Sequence, residues 1–266
     1  MDGTKECGKE HMSRVPLIIG HRGASHDAPE NTLAAFQLAF DQGADGIEAD
    51  FRLTRDHRIV CMHDKTSGRT AGVRVQVEKA SLEELGRLDV GAWKGERWSG
   101  ERMPTLDDVL AALPVGKMIF IELKSGAVIV PHVKEVLARS AVSRERIRLL
   151  TFDAELARML TDTIADVKVC LNVEYRRQIL PGGVTRPSPE EILRTLARCG
   201  AAGLSTQADA SVDASFAEAL RRNGKELHIW TVDSPDEARA YVELGVDSLM
   251  TNRPGFLRKG LSRDTP

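Results

Sequence analysis

The chain is predicted to be an α/β protein, a TIM (β/α)₈ barrel with an insertion after its second strand. Three observations predict this. Eight short apolar, β-branched runs alternate with segments of helical periodicity from Val15 almost to the end. Several of the helical segments open on capping residues. The 266 residues also suit a fold that commonly fills about 250 residues as one domain. Regular β-then-α alternation implies parallel strands joined by helical crossovers, and eight such units favour closure over an open sheet.

The candidate strands are VPLIIG (15–20), GIEADF (46–51), KMIFIEL (117–123), RIRLLT (146–151), VKVCLN (167–172), AAGLS (201–205), ELHIWTV (226–232) and VDSLMT (246–251). After the first, Leu33, Phe36 and Phe40 recur at helical spacing behind Asn31, which is read as the N-cap. Ser188-Pro189-Glu190-Glu191 and Ser234-Pro235-Asp236-Glu237 each place a cap serine, a proline at the first helical position and a glutamate three residues on. Ser81 with Glu84 and Thr105 with Asp108 repeat the box, and Asp153 caps ELARML. From Asp64 to Pro104 the rhythm breaks. That stretch is rich in Gly, Arg and Lys, with one short helix near SLEEL and two tryptophans, Trp93 and Trp98. It is longer than a connection requires, so it reads as an excursion over one end of the barrel. A single domain is expected over 14–260, with the insertion at about 65–104 and residues 1–13 a disordered tail or expression remnant.

A hydrophobic content of 42% with 29% charged residues excludes disordered and fibrous classes. Thirty-seven basic against 39 acidic residues leave a net charge of −2, so no global field draws the chain to nucleic acid. A small-molecule substrate is the expected partner. No run approaches the ~18 apolar residues of a membrane span, and the polar N-terminus lacks a signal-peptide core, so a cytoplasmic protein without integral membrane association is expected. Cys7, Cys61, Cys170 and Cys199 are scattered, which reads as free thiols in a reducing compartment.

Charged residues cluster at the C-terminal ends of the first three strands, where barrel enzymes build their sites. The first strand ends in Gly20-His21-Arg22-Gly23. The second carries Glu48 and Asp50, two apart and therefore on one side, and the third ends with Glu122 and Lys124. Alone, Glu48 and Asp50 are equally read as a salt-bridged pair. With Glu122 beside them, three converging carboxylates call for a divalent ion, and an all-oxygen set suits Mg²⁺, Ca²⁺ or Mn²⁺. His21, and His63 after the hairpin-like RIVCMHD segment, are candidate general base and general acid. Arg22 and Lys124 suit an anionic group, most naturally a phosphate. The residues together point to metal-assisted phosphoester cleavage.

HRGASHDAPENTLAAF (21–36), GADGIEADFRLTRDHRIVCMHD (43–64), PTLDDVL (104–110), IELK (121–124) and WTVDSPDEARAYVELGVDSLMTNRP (230–254) resemble, in order, the landmarks of the glycerophosphodiester phosphodiesterase family. The resemblance covers roughly 15–258. It implies a TIM barrel with an insertion after the second strand, one divalent cation, and hydrolysis of glycerophosphodiesters to glycerol 3-phosphate and an alcohol. By position it makes Glu48, Asp50 and Glu122 the metal ligands, His21 and His63 the acid/base pair, Arg22 and Lys124 the phosphate contacts, and Trp230 an aromatic lining the glycerol side.

Two rival readings stay open. A lysophospholipase D would act on acylated diesters and would need an apolar trough from Trp93, Trp98 and VRVQV; a non-catalytic barrel would only bind a phosphorylated ligand. Within PENT, Asn31 is expected to cap a helix rather than take part in the chemistry, and Glu30 is ambiguous. Arg69 and Thr70 resemble a pair expected to organise the insertion. Arg55-Asp56-His57 departs from the family's Lys-Asp-Gly turn, with His57 expected to be exposed. Asn252 stands where Asp is common, a change expected to affect loop detail only. Glu174 faces the same barrel end, either near the metal or a substrate hydroxyl, or as a solvated loop carboxylate.

Overall fold

Strands form where the eight apolar runs lie, with ends displaced by no more than two residues. The computed structural model describes residues 15–177 and 185–262. The barrel strands are β1 (Leu17–His21), β2 (Gly46–Leu53), β3 (Met118–Leu123), β4 (Ile147–Thr151), β5 (Lys168–Val173), β6 (Gly203–Gln207), β7 (Glu226–Trp230) and β8 (Ser248–Thr251). Neighbours are parallel in chain order, and β1 pairs with both β8 (Leu17↔Ser248) and β2 (His21↔Glu48), closing the barrel. A helix follows each strand: α1 (Leu33–Asp41), α2 (Leu106–Ala112), α3 (Val130–Arg139), α4 (Ala154–Thr163), α5 (Pro189–Cys199), α6 (Ala214–Arg222), α7 (Pro235–Glu243) and α8 (Pro254–Ser262).

Period-two alternation divides each strand between two cores. Outward residues such as Ile47, Phe51, Ile121 and Leu149 pack beneath Phe36, Val133, Leu156 and Leu196 of the helices. Each such side chain, fully buried, contributes roughly 1.5–3 kcal/mol of transfer free energy. Inward residues form layers. Ile19, Met118, Phe120, Leu150, Cys170 and Met250 fill the middle. Arg148, Lys168, Glu226 and His228 form a charged floor at the strands' N-terminal end. His21, Glu48, Asp50 and Glu122 form the mouth.

Ser81/Glu84, Thr105/Asp108 and Ser188/Glu191 close reciprocal capping boxes, and Asp153 accepts two backbone bonds at the start of α4. Ser234 occupies an N-cap with Pro235 after it, but its side chain makes no capping bond. The cap of α1 is Thr32, whose hydroxyl accepts from the Ala35 N–H, and not Asn31. Asn31 lies at φ +59 with its side chain turned into the barrel mouth.

A short strand, Ile59–Cys61, runs antiparallel to β2 before the insertion begins. The insertion has its own small core of Val77, Leu85, Val90 and Met103 against Val60 and Met62. Lys94 and Arg97 dock it on the loop after β1 by donating to the Ser25 and Asp27 carbonyls at 2.7 and 2.8 Å. The same two cations lie over Trp93 and Trp98, 5.4 and 4.6 Å from the ring centres. His57 is exposed, with φ +60 in place of a glycine, and stacks on His132 at 4.9 Å. Cys61, Cys170 and Cys199 are buried free thiols, whereas Cys7 and the expected tail lie outside the described residues. Among the described residues no helix is long and apolar enough to cross a membrane.

Candidate active site

The mouth begins with a tight turn after β1. At Gly23, φ is +86 and a Cβ would fall 2.6 Å from the Ala35 backbone, so only glycine fits between β1 and α1. Arg22 beside it also has a positive φ, +55, unfavourable for a long side chain. That conformation lets its backbone N–H donate to Glu48 Oε2 at 3.1 Å while its guanidinium meets Asp50 at 3.1 Å and Glu30 at 3.0 Å.

Glu48 and Asp50 point inward from β2, and Glu122 stands opposite Asp50 on β3. Each offers one oxygen, and the three oxygens lie within 4.8 Å of one another; these groups could hold a metal ion. All three side chains are buried. Lys124 pairs with Asp50 at 3.0 Å and with Glu122. Asn31 clasps Asp50 from both sides: its Nδ2 donates to Oδ2 at 2.8 Å, and its Oδ1 accepts from the Asp50 N–H at 3.2 Å. Glu48 Oε1 is buried with no hydrogen-bond partner.

Three carboxylates thus face two cations in a desolvated space. Burial, with Asp50 and Glu122 adding repulsion, pushes Glu48 well above the ordinary carboxyl range. Burial and Asp50 raise Glu122 to about 7. Asp50 shows the opposite behaviour: despite its burial, Lys124 and Arg22 hold it far below the usual range. An orphaned buried oxygen, an all-oxygen donor set and unbalanced negative charge fit a hard divalent cation.

The histidines flank this cluster. His21 Nδ1 lies 2.8 Å from Asn252 Oδ1, and its Nε2 lies 3.9 Å from Glu48. Burial, then Arg22, lowers its pKa to about 4. His63 Nδ1 contacts Asp64 at 2.8 Å, and its pKa is also lowered, chiefly by burial. Arg69 joins the two halves of the mouth. Its Nε donates to Asp64 at 2.8 Å, while its two Nη groups donate to Glu30 at 2.7 and 2.8 Å. Glu30 therefore orients Arg22, and Arg69 ties the insertion to the carboxylates behind both halves.

A pocket of about 220 Å³ opens over these groups. His21, Arg22, Glu48, His63, Glu122 and Lys124 form its charged side. Trp230, Phe152, Leu150, Met250 and Asn172 form the opposite wall, with Glu174 on the exposed rim. Trp230 and Phe152 meet edge to face at 5.9 Å, and Lys124 Nζ lies 5.7 Å from the Phe152 ring centre. None of residues 64–104 lines the pocket, and Val77 of VRVQV belongs to the insertion core. Of the residues singled out for the site from the sequence, His21, Arg22, Glu48, His63, Glu122, Lys124 and Trp230 line this pocket, and Asp50 lies beside it, paired with Lys124 and Arg22.

Four other residues have a larger part in the site than the sequence suggests. Asn31, expected to cap a helix rather than take part in the chemistry, clasps Asp50 instead, and Asn252, expected to affect loop detail only, touches His21 directly. Asp233 anchors Asn252, and Asn172 presents a buried, unpartnered Oδ1 to the pocket. A buried polar residue on an apolar strand is a signal for Asn172; Asn31 and Asp233 carry none that a cap or loop would not share.

Residues 21–256 match the glycerophosphoryl diester phosphodiesterase family. A glycerophosphodiester phosphodiesterase of Caldanaerobacter subterraneus subsp. tengcongensis is 32% identical over 252 residues, spanning 92% of this chain and 98% of that protein. Among solved structures, a phosphodiesterase of Oleispira antarctica in complex with sn-glycerol 3-phosphate shares the fold. Its TM-score is 0.81 at 24% identity, over 93% of this chain and 97% of that one. A glycerophosphodiester phosphodiesterase of Agrobacterium tumefaciens gives a TM-score of 0.75 at 26% identity, over 92% and 99%. The match spans the barrel and carries every motif at its mouth, and on that basis the chain belongs to the glycerophosphoryl diester phosphodiesterase family, an enzyme of that class.

Proposed function

We propose that the protein hydrolyses deacylated glycerophosphodiesters to glycerol 3-phosphate and an alcohol, using one divalent cation, Mg²⁺, Ca²⁺ or Mn²⁺, held by Glu48, Asp50 and Glu122. The observation that carries this reading is the convergence of two cations and two imidazoles on one small pocket with a cluster of three buried carboxylates, two of which line it. When bound, the cation supplies Lewis-acid polarisation of a phosphoryl oxygen.

The chain's own residues do the rest. Arg22 and Lys124 donate charged N–H groups to the non-bridging oxygens, where negative charge grows in the transition state. Their carboxylate partners hold both cations in place beforehand, so little reorganisation is needed. One histidine takes the proton of the attacking hydroxyl, either from water, which gives glycerol 3-phosphate directly, or from the substrate's glycerol 2-hydroxyl, which gives a cyclic phosphate that water then opens to glycerol 3-phosphate. The other delivers a proton to the departing alkoxide as its bond to phosphorus breaks. The Trp230–Phe152 wall offers an apolar surface for the glycerol carbons.

The pocket's size supports a deacylated substrate, as does the absence of insertion residues from its wall. Trp93 and Trp98, which a lysophospholipase D would need for an acyl trough, lie beneath Lys94 and Arg97. Retention of both histidines and all three carboxylates speaks against a binding-only barrel. Three buried free thiols accord with action in a reducing, cytoplasmic setting.

The test is a coupled assay for glycerol 3-phosphate release from glycerophosphocholine, with chelator and then with each metal added separately, beside lysophosphatidylcholine. Release that needs a metal and prefers the deacylated diester is expected. No release with any metal would replace this reading with the binding barrel, and preference for the acylated substrate would replace it with the lysophospholipase D.

A further inference from the structure

We propose that Asp233 and Asn252 form a positioning relay that sets the tautomer of His21, holding a proton on Nδ1 and leaving the Nε2 lone pair on the pocket side. This rests on the reading above, in which His21 exchanges a proton with substrate. Three consecutive barrel strands supply the parts. Asp233 follows β7, Asn252 follows β8, and His21 ends β1. Barrel closure brings His21 and Asn252 into contact across 231 positions of sequence.

The polarity of the relay follows from its far end. A carboxylate only accepts hydrogen bonds, and Asp233 Oδ2 lies 2.7 Å from Asn252 Nδ2. The amide NH₂ must therefore face Asp233, which leaves the amide oxygen facing His21. That oxygen only accepts, and it sits 2.8 Å from His21 Nδ1, so Nδ1 carries the proton. Asp233 is itself fixed, since its Oδ1 accepts from the Asn252 N–H and the Thr251 hydroxyl, both at 2.8 Å. Ser25 Oγ stands 2.7 Å from the same amide oxygen and 2.8 Å from the His21 carbonyl, bracing both residues. His21 Nε2 then remains beside Glu48, on the wall of the pocket. Loss of the correct tautomer costs up to ~10⁴ in kcat in a serine-protease triad, so the relay has a large effect available to it.

The arrangement also makes an unusual demand. Asn252→Asp would set two carboxylates against each other at the 2.7 Å contact, whereas adding Asp233→Asn restores one donor and one acceptor there. The double variant rebuilds the relay with its charge moved one residue closer to His21.

The test uses ¹⁵N-histidine-labelled, Mg²⁺-loaded protein, in which nitrogen shifts and couplings report the His21 tautomer directly, together with kcat, KM and Tm. The wild type should show a neutral ring protonated at Nδ1. Asn252→Ala and Asp233→Asn should give mixed tautomers and lower kcat by about 10–100-fold, the scale for outer partners of functional histidines, with KM little changed. Asn252→Asp should also fall, and Asp233→Asn with Asn252→Asp should recover much of the loss and the Nδ1–H signature. Should Asn252→Ala fail to fold, the isosteric Asp233→Asn carries the test. A wild-type ring protonated at Nε2, or an unchanged tautomer and kcat in Asp233→Asn, would overturn the relay. Because the tautomer is read by spectroscopy, a wild type without diesterase turnover would sink the functional reading and still leave the relay decided.

Discussion

At the floor of the barrel Glu226 receives two N–H bonds from Arg148, at 2.7 and 3.0 Å, and one from Lys168 at 2.6 Å. His228 beside it bonds Ser248 at 2.9 Å and packs edge to face on Phe120. At the mouth Glu48, Asp50 and Glu122 share Arg22 and Lys124, and Glu48 Oε1 has no partner. Both ends bring together groups of metal-ligand type, since Cys170, Glu226 and His228 converge at the floor as the three carboxylates do at the mouth. The difference lies in balance. At the floor the carboxylate already has its cations, and burial pushes the Cys170 thiol well above its ordinary range, away from the thiolate a metal requires. Ligand types alone do not make a site; buried charge left uncompensated does.

The largest expected effect separates the ends by activity. His21→Ala or His63→Ala should lower glycerol 3-phosphate release by roughly 10²–10⁴-fold, the range of general acid–base catalysis, with circular dichroism unchanged. His228→Ala at the floor should leave the metal-dependent turnover of folded protein near wild type. Full turnover by both mouth variants would remove them from the chemistry.

Next comes one substitution with opposite signs at the two ends. Glu226→Gln leaves Arg148 and Lys168 without their anion and should destabilise by roughly 3 kcal/mol, the lower end for a broken buried pair. Glu48→Gln relieves the crowding of a buried carboxyl whose Oε1 has no partner and should stabilise the chelator-treated protein by about 1 kcal/mol while abolishing turnover, the trade typical of functional sites. Denaturant melts of the two variants measure both; the same sign for both would undo the comparison.

The pH dependence of stability should divide in the same way. Against its burial, bonds from His228, Arg148 and Lys168 hold Glu226 far below its ordinary 4.5, so its contribution is present above that value and lost as pH falls below it. Glu122 is raised to about 7, so the folded state binds more protons than the unfolded chain between about 4.5 and 7. Its contribution is therefore present below 4.5 and lost as pH rises through 7. His21 and His63, whose pKa values are lowered, act in the opposite direction, so the Glu122 part is isolated by difference. In chelator the Tm of the wild type minus that of Glu122→Gln should fall from pH 5 to 7, and added Mg²⁺ should flatten that slope. A difference with no such fall in chelator would contradict the crowding at the mouth.

What could be read from the chain follows the range of the signal. Apolar alternation is local, so the strands lie within two residues of their expected places, and Glu48, Asp50 and Glu122 stand out as charges on those runs. Capping boxes are local too, and Ser81, Thr105 and Ser188 close as expected. Asn31 misled because an asparagine before a helix gives the same signal whether it caps the helix or, at positive φ, clasps a carboxylate 19 residues away. Asn252 and Asp233 were beyond reach because only barrel closure sets them against His21. The floor was invisible for the same reason: Arg148, Lys168 and Glu226 lie on three strands and read singly as strand-edge charges.

The smallest effect tests whether the mouth depends on geometry as well as on charge. Arg69 serves Asp64 with one N–H and Glu30 with two, and these carboxylates in turn hold His63 and Arg22. Only a planar guanidinium fork reaches both; a lysine keeps the charge but can satisfy one carboxylate at a time. Because Arg69 is partly exposed, Arg69→Lys should change stability by no more than about 1 kcal/mol. It should lower kcat/KM by about 10-fold, since outer partners of functional groups act on orientation. Arg55, paired to Glu84 at 3.1 Å on the exposed side of the insertion, is the matched control, and Arg55→Lys should leave kcat/KM unchanged. Equal kinetic behaviour of the two lysine variants would mean that the fork contributes charge alone, and that the mouth differs from the floor in balance but not in precision of placement.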